Sequence, residues 1–464
     1  MGASPWWPLR RQLLAPPPPL PLHLPAHGRG RGLAPALAQL LRRPPGSWDL
    51  PELPGFGGPL EPTGAVAEAQ QRAAALLGAS QAWFGVNGAS GLLQAALLAL
   101  APPRSRVLLP RNLHRSLLHG CVLGDLEPLL YDLPFDAATG LWRPPRPAQM
   151  ERLLQQAGPV AALVLVDPTY QGLRAELQAL VALAHRQPGP YGAGLPVLVD
   201  QAHGCGEALA SGADLVVLSL QKAAGGLAQS AVLLAQGSRC DGEAIGRGLL
   251  WLQTSSPSAL LLASTAAALE HQHSAAGVRQ RQRAEARAAD LRRRLERLNL
   301  PALAGTDPLR LVLPMAPLGI SGPAADGWLL ERGVVAELPE PGALTFCLGL
   351  EPPPGLERRL PRLLERLRRE RGGTPLPPFV APPLPPLAAL DHPLGQAWRA
   401  AARSLPLRQA EGLIAARPIC PYPPGIPLLV PGERIDGARL AWLAEQRRLW
   451  PEGIPETLEV MAEP

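Results

Sequence analysis

The sequence predicts an α/β fold with a mainly parallel sheet, because three short apolar runs each have a polar residue at or next to their end. Residues 160–166 (VAALVLV) and 196–200 (PVLVD) are typical of buried strands, and the helix-like stretch 173–186 lies between them. This order is that of a βαβ unit. A third run, residues 214–220 (DLVVLSL), leads directly to Gln221. Since open α/β sheets bind ligands at the carboxyl ends of their strands, we expect a functional site there.

The residue after Gln221 is the only lysine of the chain. Of the 44 Lys and Arg residues, Lys222 alone is a lysine. Arginine replaces lysine as a charge, but it stays protonated, whereas a lysine amine can lose its proton and attack a carbonyl. Lys222 therefore indicates covalent amine chemistry; a chance survivor of an Arg-rich composition is the alternative.

Two aspartates end the neighbouring strand-like runs, Asp167 and Asp200. Taken alone, an Asp at a strand end is more often a cap or turn residue than a catalyst. Together with a unique lysine, it indicates pyridoxal 5'-phosphate (PLP), whose enzymes combine a Lys Schiff base with a carboxylate at the pyridinium nitrogen.

Upstream segments supply candidates for the rest of such a site. Residues 84–100 (FGVNGASGLLQAALLAL) pass from a short polar turn into an apolar helix. Backbone N–H groups and the Ser90 hydroxyl at its start suit a phosphate, although Ser90 also suits an N-cap. Residues 107–116 (VLLPRNLHRS) predict a strand followed by His114, which either stacks on a flat ring or is an ordinary surface histidine.

Composition predicts a folded protein. Hydrophobic residues make up 47% and charged residues 18% of 464 residues, with a mean hydropathy of +0.05. Polar and Pro residues interrupt the long uncharged stretch 248–268, and no transmembrane helix is predicted. The N-terminal segment is too proline-rich for a secretory signal, so we expect a cytoplasmic protein. Five scattered cysteines without CxxC predict neither disulfides nor a metal site.

The net charge of +6 and the pI near 9.5 leave open a nucleic-acid partner. The arginines, however, lie among glutamates in the helix-like stretches 279–297 and 357–371. We interpret them as solvated helix faces and predict neither a nucleic-acid nor a membrane partner.

Taken in order, these and other motifs resemble the Orn/Lys/Arg decarboxylase family of fold type I PLP enzymes, in the aspartate aminotransferase superfamily. The string at 421–433 is the most specific single motif, although it also suits a linker. The motifs that carry the resemblance are LHLPAHGRGRG (22–32), DLPELPGF (49–56), PTGAVAEAQ (62–70), FGVNGAS (84–90), RNLHRS (111–116), DPTYQG (167–172), DQAHG (200–204), the Lys222 segment, QTSSPSALLLAS (253–264) and PYPPGIPLLVPGE (421–433).

The resemblance implies three catalytic residues. Lys222 would form the Schiff base with PLP, Asp200 would keep the ring nitrogen protonated, and His114 would stack on the ring. It also implies a cofactor-binding set, with Ser90 and the Ala89 backbone on the phosphate and Thr254 near the phosphate of a neighbouring subunit. The remaining members of that set are His203, Thr169 and Ser219. A homodimer, or a multiple of it, is the implied assembly.

The resemblance implies decarboxylation of arginine, lysine or ornithine to an amine and CO2. Several positions depart from the family pattern, namely Gln201, Gln221, Gly57, Gly58 and Arg417. Recognition of the substrate cation therefore stays open, with Glu337 and Glu433 either as its acceptors or as structural carboxylates. Another PLP reaction, such as aminotransfer or a lyase step, and a non-catalytic PLP-binding homologue are the alternatives.

The predicted organisation has an N-terminal arm (1–60), a PLP-binding large domain (61–274) and a small α/β domain (275–371). Residues 372–386 form a Pro-rich linker, and residues 387–464 form a C-terminal decarboxylase-type domain.

Overall fold

The structure is a computed structural model that describes residues 8–190, 192–421, 425–449 and 453–462. Within these ranges the strands, numbered in chain order, are β1 (Leu20–Pro21), β2 (Gln81–Gly85), β3 (Arg106–Pro110), β4 (Glu127–Tyr131), β5 (Phe135–Asp136), β6 (Leu141–Trp142), β7 (Ala162–Val166), β8 (Val197–Asp200), β9 (Leu215–Ser219), β10 (Ala231–Ala235), β11 (Arg310–Pro314), β12 (Val334–Val335), β13 (Leu338–Pro339), β14 (Ala343–Cys347), β15 (Leu387–Ala388), β16 (Ala402–Pro406) and β17 (Thr457–Met461).

The α-helices of the same ranges are α1 (Pro8–Leu14), α2 (Pro35–Leu40), α3 (Ala65–Leu77), α4 (Gly88–Leu100), α5 (Arg115–Leu123), α6 (Pro147–Ala157), α7 (Leu177–His185), α8 (Leu220–Ala223), α9 (Gly242–Leu252), α10 (Ala259–His273), α11 (Ala275–Arg297), α12 (Gly322–Leu330), α13 (Leu356–Arg371), α14 (Leu394–Arg399) and α15 (Gly437–Leu449). Leu and Ala, which have high helix propensity, dominate α4. The Ser274 hydroxyl caps α11 by accepting the N–H of Gly277.

An eight-stranded sheet forms the centre, in the order β15-β4-β3-β7-β8-β9-β10-β2. Strands β4, β3, β7, β8 and β9 run parallel. Strand β10 is antiparallel to both β9 and β2, so β2 points the same way as β9. The predicted α/β class with a mainly parallel sheet is confirmed.

Both faces of this sheet are covered by apolar side chains. In β9, Val216 and Leu218 belong to one hydrophobic cluster, whereas Leu215 and Val217 belong to another. Because successive side chains of a strand point to opposite faces, the two clusters lie on opposite sides of the sheet. A strand buried on both faces has to be apolar throughout, which explains the continuous runs in the sequence.

A smaller antiparallel sheet, β11-β14-β13, has its own core with α11, α12 and α13. Strand β1 of the N-terminal segment pairs in parallel with β12 and so joins this unit. Two further short strands, β12 and β13, lie between α12 and β14. The boundaries of the five predicted regions stay a prediction.

The uncharged stretch 248–268 contains the end of α9 and the start of α10, which are separated by residues 253–258. Among the described residues, no helix combines the length and the apolar character needed to cross a bilayer. The Pro-rich residues 372–386 contain neither helix nor strand.

Candidate active site

The predicted site residues follow strands that end at one edge of the central sheet. Ser219 of β9 and Gly85 of β2 both pair with Ala231 of β10, so these two strand ends lie at the same level. Asp200 pairs with Val166 at the end of β7. The segments that carry Ser90, Thr169, Asp200 and Lys222 therefore leave the sheet on the same side.

Asp200 is the last residue of β8, and only 6% of it is exposed. Its Oδ1 accepts the N–H of Ala202 at 3.1 Å, which fixes the carboxylate at the start of the following turn. On the next strand, β9 ends at the buried Ser219 and continues without a loop into α8, the single turn that carries Lys222.

The Lys222 amine lies in a partly buried, polar environment. Its Nζ is 3.1 Å from Nε2 of His203. Burial lowers the pKa of Lys222, Asp200 opposes that shift, and the nearby Arg310 lowers the pKa further. A lowered pKa increases the fraction of unprotonated amine, which is the nucleophilic form.

His203 links Lys222 to residues of the smaller sheet. Burial, followed by the charges of Lys222 and Arg310, holds the pKa of His203 well below its ordinary value. The ring of Tyr170 lies beside the His203 ring, with 4.5 Å between centroids. The Tyr170 hydroxyl donates to Glu337, whose other carboxylate oxygen accepts the N–H of Leu24 at 2.7 Å.

Arg310 is a site residue that sequence reasoning missed. It is the first residue of β11, is 4% exposed, and places Nη2 3.3 Å from Nδ1 of His203 and 3.4 Å from the Lys222 carbonyl oxygen. Its Nε is buried and has no hydrogen-bond partner among the described residues. The feature of the sequence that could have identified Arg310 is its position as a charged residue at the start of an otherwise apolar strand.

The start of α4 offers free N–H donors at the same sheet edge. The Asn87 side chain does not cap the helix but donates to the Leu252 carbonyl at 2.7 Å. The amides of Ala89 and Ser90, in the first turn, have no acceptor within the helix. Such a helix start attracts an anion through both its N–H groups and its dipole.

Thr254 follows α9 and is exposed. Its hydroxyl oxygen accepts the N–H of Ser256 at 3.2 Å, so its contact within the chain is local. The preceding Gln253 donates to the Phe84 carbonyl at 2.8 Å, which keeps this loop beside the turn that leads to α4. The predicted role of Thr254 at a neighbouring subunit stays a prediction.

His114 precedes α5 and acts as its N-cap, since its Nδ1 accepts the N–H of Ser116. The residue is exposed, but partial desolvation lowers its pKa; Asp200 opposes this shift, and the charge of Lys222 reinforces it. His114 is therefore close enough to Asp200 and Lys222 for their charges to shift its pKa. The sequence alone left two roles open for it, a ring-stacking residue and an ordinary surface histidine.

Thr169 and Asp167 both make local contacts. The buried Thr169 hydroxyl accepts the N–H of Leu173 at 3.2 Å. Asp167 Oδ1 accepts the N–H of Ala175 at 2.7 Å, so this aspartate has the turn-forming role that was the alternative for a strand-end Asp.

The N-terminal motif at 22–32 lies on the Lys222 segment. The N–H of Ala26 donates to the Gln221 carbonyl, and that of Ala34 donates to the Gly225 carbonyl, each at 2.9 Å. A Cβ on Gly225 would lie 2.5 Å from the Gly32 carbonyl oxygen. Glycine at 225 thus permits the close approach of these two backbones.

Three of the positions that depart from the family pattern have local explanations. Gln201 is fully buried and its side chain accepts the N–H of Ala208 and donates to Glu207. Gly57 has φ of +70°, and a Cβ there would lie 2.6 Å from the Thr63 carbonyl oxygen, which disfavours an acidic residue. Arg417 donates to the carbonyls of Trp398 and Ala416.

Glu433 belongs to a buried ion cluster, which identifies it as a structural carboxylate. Arg111 makes a two-pronged contact with it at 2.9 and 2.5 Å, and Arg439 contacts it at 3.1 Å. Arg111 and Glu433 are 0% and 2% exposed. The cluster joins the RNLHRS motif to the C-terminal motif, of which residues 422–424 lie outside the described residues.

Family models match two parts of the chain. Residues 46–311 match the Orn/Lys/Arg decarboxylase major domain, and residues 390–449 match the C-terminal domain of the same family. An arginine decarboxylase of Bacillus subtilis is 28% identical over 455 residues, which cover 92% of this chain and 90% of the relative.

Solved structures show the same fold. The constitutive lysine decarboxylase of E. coli superposes with a TM-score of 0.74 at 19% identity, covering 89% of this chain and 75% of that chain. A serine palmitoyltransferase from S. paucimobilis with PLP bound has a TM-score of 0.56 at 18% identity, covering 75% of this chain and 86% of that chain. These likenesses confirm the predicted fold type.

Proposed function

The chain belongs to the Orn/Lys/Arg decarboxylase family, an enzyme family of amino acid decarboxylases, and from this premise we propose that it releases CO2 from a basic amino acid at the site around Lys222. The observation that carries the proposal is the position of the only lysine of the chain. It leaves β9 beside the strand that ends in Asp200, and its amine faces a buried histidine.

PLP is the cofactor of this family, and the residues at the sheet edge fit it. Lys222 offers an amine with a lowered pKa for a covalent link, and Asp200 offers a carboxylate for the ring nitrogen. The amides of Ala89 and Ser90, with the Ser90 hydroxyl, offer donors for the phosphate. His114, held at the start of α5 within range of the Asp200 charge, is the residue we assign to the ring face.

When bound, PLP supplies an electron sink that accepts the bonding pair left at Cα as the carboxylate departs as CO2. Asp200 would hold a proton on the ring nitrogen, because a carboxylate favours a neighbouring positive charge. Lys222 would hold the cofactor through its amine, which is the nucleophilic group that the chain offers there. Glu337 accepts hydrogen bonds from the Tyr170 hydroxyl and from the N–H of Leu24, so it links the N-terminal segment to Tyr170.

Glu337 is the carboxylate that we propose for the distal cation of the substrate. It is only partly buried, and its charge raises the pKa of Lys222 against the stronger effect of burial, so the two groups are near each other. Glu433, the other candidate, is already saturated by two arginines. A carboxylate paired with a guanidinium or an ammonium makes the stronger class of hydrogen bond.

Replacing Glu337 with Gln will raise KM for the basic substrate about tenfold to a hundredfold, because a charged hydrogen-bond partner is lost. Steady-state kinetics on the basic substrate and on norleucine, which lacks the distal cation, measure the effect as a specificity ratio. Glu331→Gln is the matched control, since the Glu331 side chain is 76% exposed. An equal loss for both substrates would contradict the assignment.

The experiment that tests the function is CO2 release by the full chain with added PLP and arginine, lysine or ornithine, one at a time. The expected result is CO2 together with the corresponding amine from one of the three. A keto acid as the product, or a visible cofactor band without CO2 from any of them, would overturn the proposed reaction.

A further inference from the structure

We propose that Arg310 is a positioning residue, which fixes the tautomer of His203 and through it holds Lys222 as a neutral amine. The inference deepens the proposed function and rests on it, since it concerns how the lysine assigned to the cofactor is prepared. It follows from two successive contacts, one between Arg310 and His203 and one between His203 and Lys222.

The first step concerns the direction of the Arg310 contact. A guanidinium carries five N–H donors and no acceptor. Nη2 of Arg310, at 3.3 Å from Nδ1 of His203, therefore requires Nδ1 to be the acceptor. The position of the Arg310 guanidinium is well defined, because Arg310 is 4% exposed and the same Nη2 also donates to the Lys222 carbonyl oxygen.

The second step concerns the charge of His203. The ring is buried, and burial is the main cause that holds the pKa of His203 well below its ordinary value; the charge of Arg310 acts in the same direction. A neutral imidazole has a single N–H. Since Nδ1 accepts from Arg310, the hydrogen is on Nε2.

The third step concerns Lys222. An Nε2–H at 3.1 Å from Nζ needs a lone pair to donate to, and an ammonium group has none. The contact is therefore satisfied by the neutral amine. If Nδ1 carried the hydrogen instead, Nε2 would accept from Lys222 and would stabilise its charged form.

Other groups around Lys222 both raise and lower its pKa, so the effect of Arg310 has to be compared with theirs. Asp200 and Glu337 favour the charged amine, whereas burial and Arg310 favour the neutral one, and the net shift of the Lys222 pKa is downward. The titratable and charged groups that face the amine are His203 and Asp200 near β8, His114 at α5, Arg310 on β11, Glu337 after β12 and Cys347 on β14.

Because the chain has one lysine, the protonation of Lys222 can be measured directly. The full-length protein, freed of cofactor, is treated with trace acetic anhydride at graded pH, and mass spectrometry follows acetylation of the peptide that contains Lys222. The midpoint of the rate against pH gives the pKa of one side chain. The readout involves no substrate turnover, so its outcome is separate from that of the decarboxylase assay.

In the wild-type protein we expect a midpoint below the ordinary lysine value of about 10.4. Arg310→Gln will move it upward by about one pH unit or more, which is about tenfold less neutral amine at a given pH below the midpoint. Arg281→Gln is the matched control, because Arg281 lines the small cavity that Lys222 and Arg310 also line. Its guanidinium donates to Cys205, Glu285 and Asp307 and not to His203. We expect it to leave the midpoint within a few tenths of a unit.

A wild-type midpoint at or above the ordinary lysine value would overturn the inference without any variant. So would an Arg310→Gln midpoint that stays in place, or one that shifts no further than that of Arg281→Gln. Thermal melting of each variant, recorded by circular dichroism, verifies that the compared proteins are folded.

Discussion

Replacing Lys222 with arginine will remove the visible cofactor band and lower CO2 release by about a thousandfold or more. Arginine keeps the positive charge at the end of β9 but cannot lose its proton or attack a carbonyl. The variant protein would contain no ε-amine, since Lys222 is the only lysine of the chain. The expected loss therefore reports the chemistry of the amine and not the charge at this position.

The measurement is the absorption spectrum with added PLP, followed by borohydride reduction and mass spectrometry of the Lys222 peptide. The control is a double variant, Lys222→Arg with Arg279→Lys, which returns one lysine to the chain on the exposed side of α11. We expect it to restore neither the band nor the activity. A band that persists in Lys222→Arg would refute the assignment of the cofactor lysine.

The sequence predicted the parts of this site in which a reactive residue lies at the end of an apolar, strand-like run. An apolar run that is buried on both faces has to end at the sheet edge, so the positions of Asp200, which ends β8, and Lys222, which follows β9, could be predicted from the pattern. The phosphate-binding proposal at Ser90 has the same basis, because a polar turn before an apolar helix marks a helix start.

Arg310 was out of reach for a different reason. It lies on β11 of the smaller sheet, and its contact with His203 spans 107 positions in the sequence. Which side chain reaches across from one sheet to another depends on how two packed units are oriented, and hydrophobic periodicity contains no information on that. The same holds for Glu337, because its contacts with Tyr170 and Leu24 join distant parts of the chain and could not be predicted from the sequence.

Replacing Glu433 with Gln will lower the free energy of unfolding by about 3–5 kcal/mol, because it leaves the guanidinium of Arg111 buried without a counter-charge. Arg111 is fully buried and its Nε already lacks a partner among the described residues, so the side chain has no route to water. Chemical denaturation at constant pH measures the loss. Glu459→Gln is the control, since its contact with Arg417 at 3.5 Å is exposed and should contribute at most about 1 kcal/mol.

A double variant distinguishes two explanations for this loss of stability. One is the unpaired charge of Arg111, and the other is the loss of the link between the RNLHRS motif and the C-terminal motif. If the penalty is the unpaired charge of Arg111, then Arg111→Met with Glu433→Leu will recover most of the stability, because an apolar pair of similar volume removes both charges together. Arg439 remains paired with Asp436 at 2.5 Å in that background. If the double variant is no more stable than the single one, the cluster instead contributes by joining the RNLHRS motif to the C-terminal motif. Arg111 lies three positions before His114, so in that case the loss of the cluster should also lower cofactor affinity.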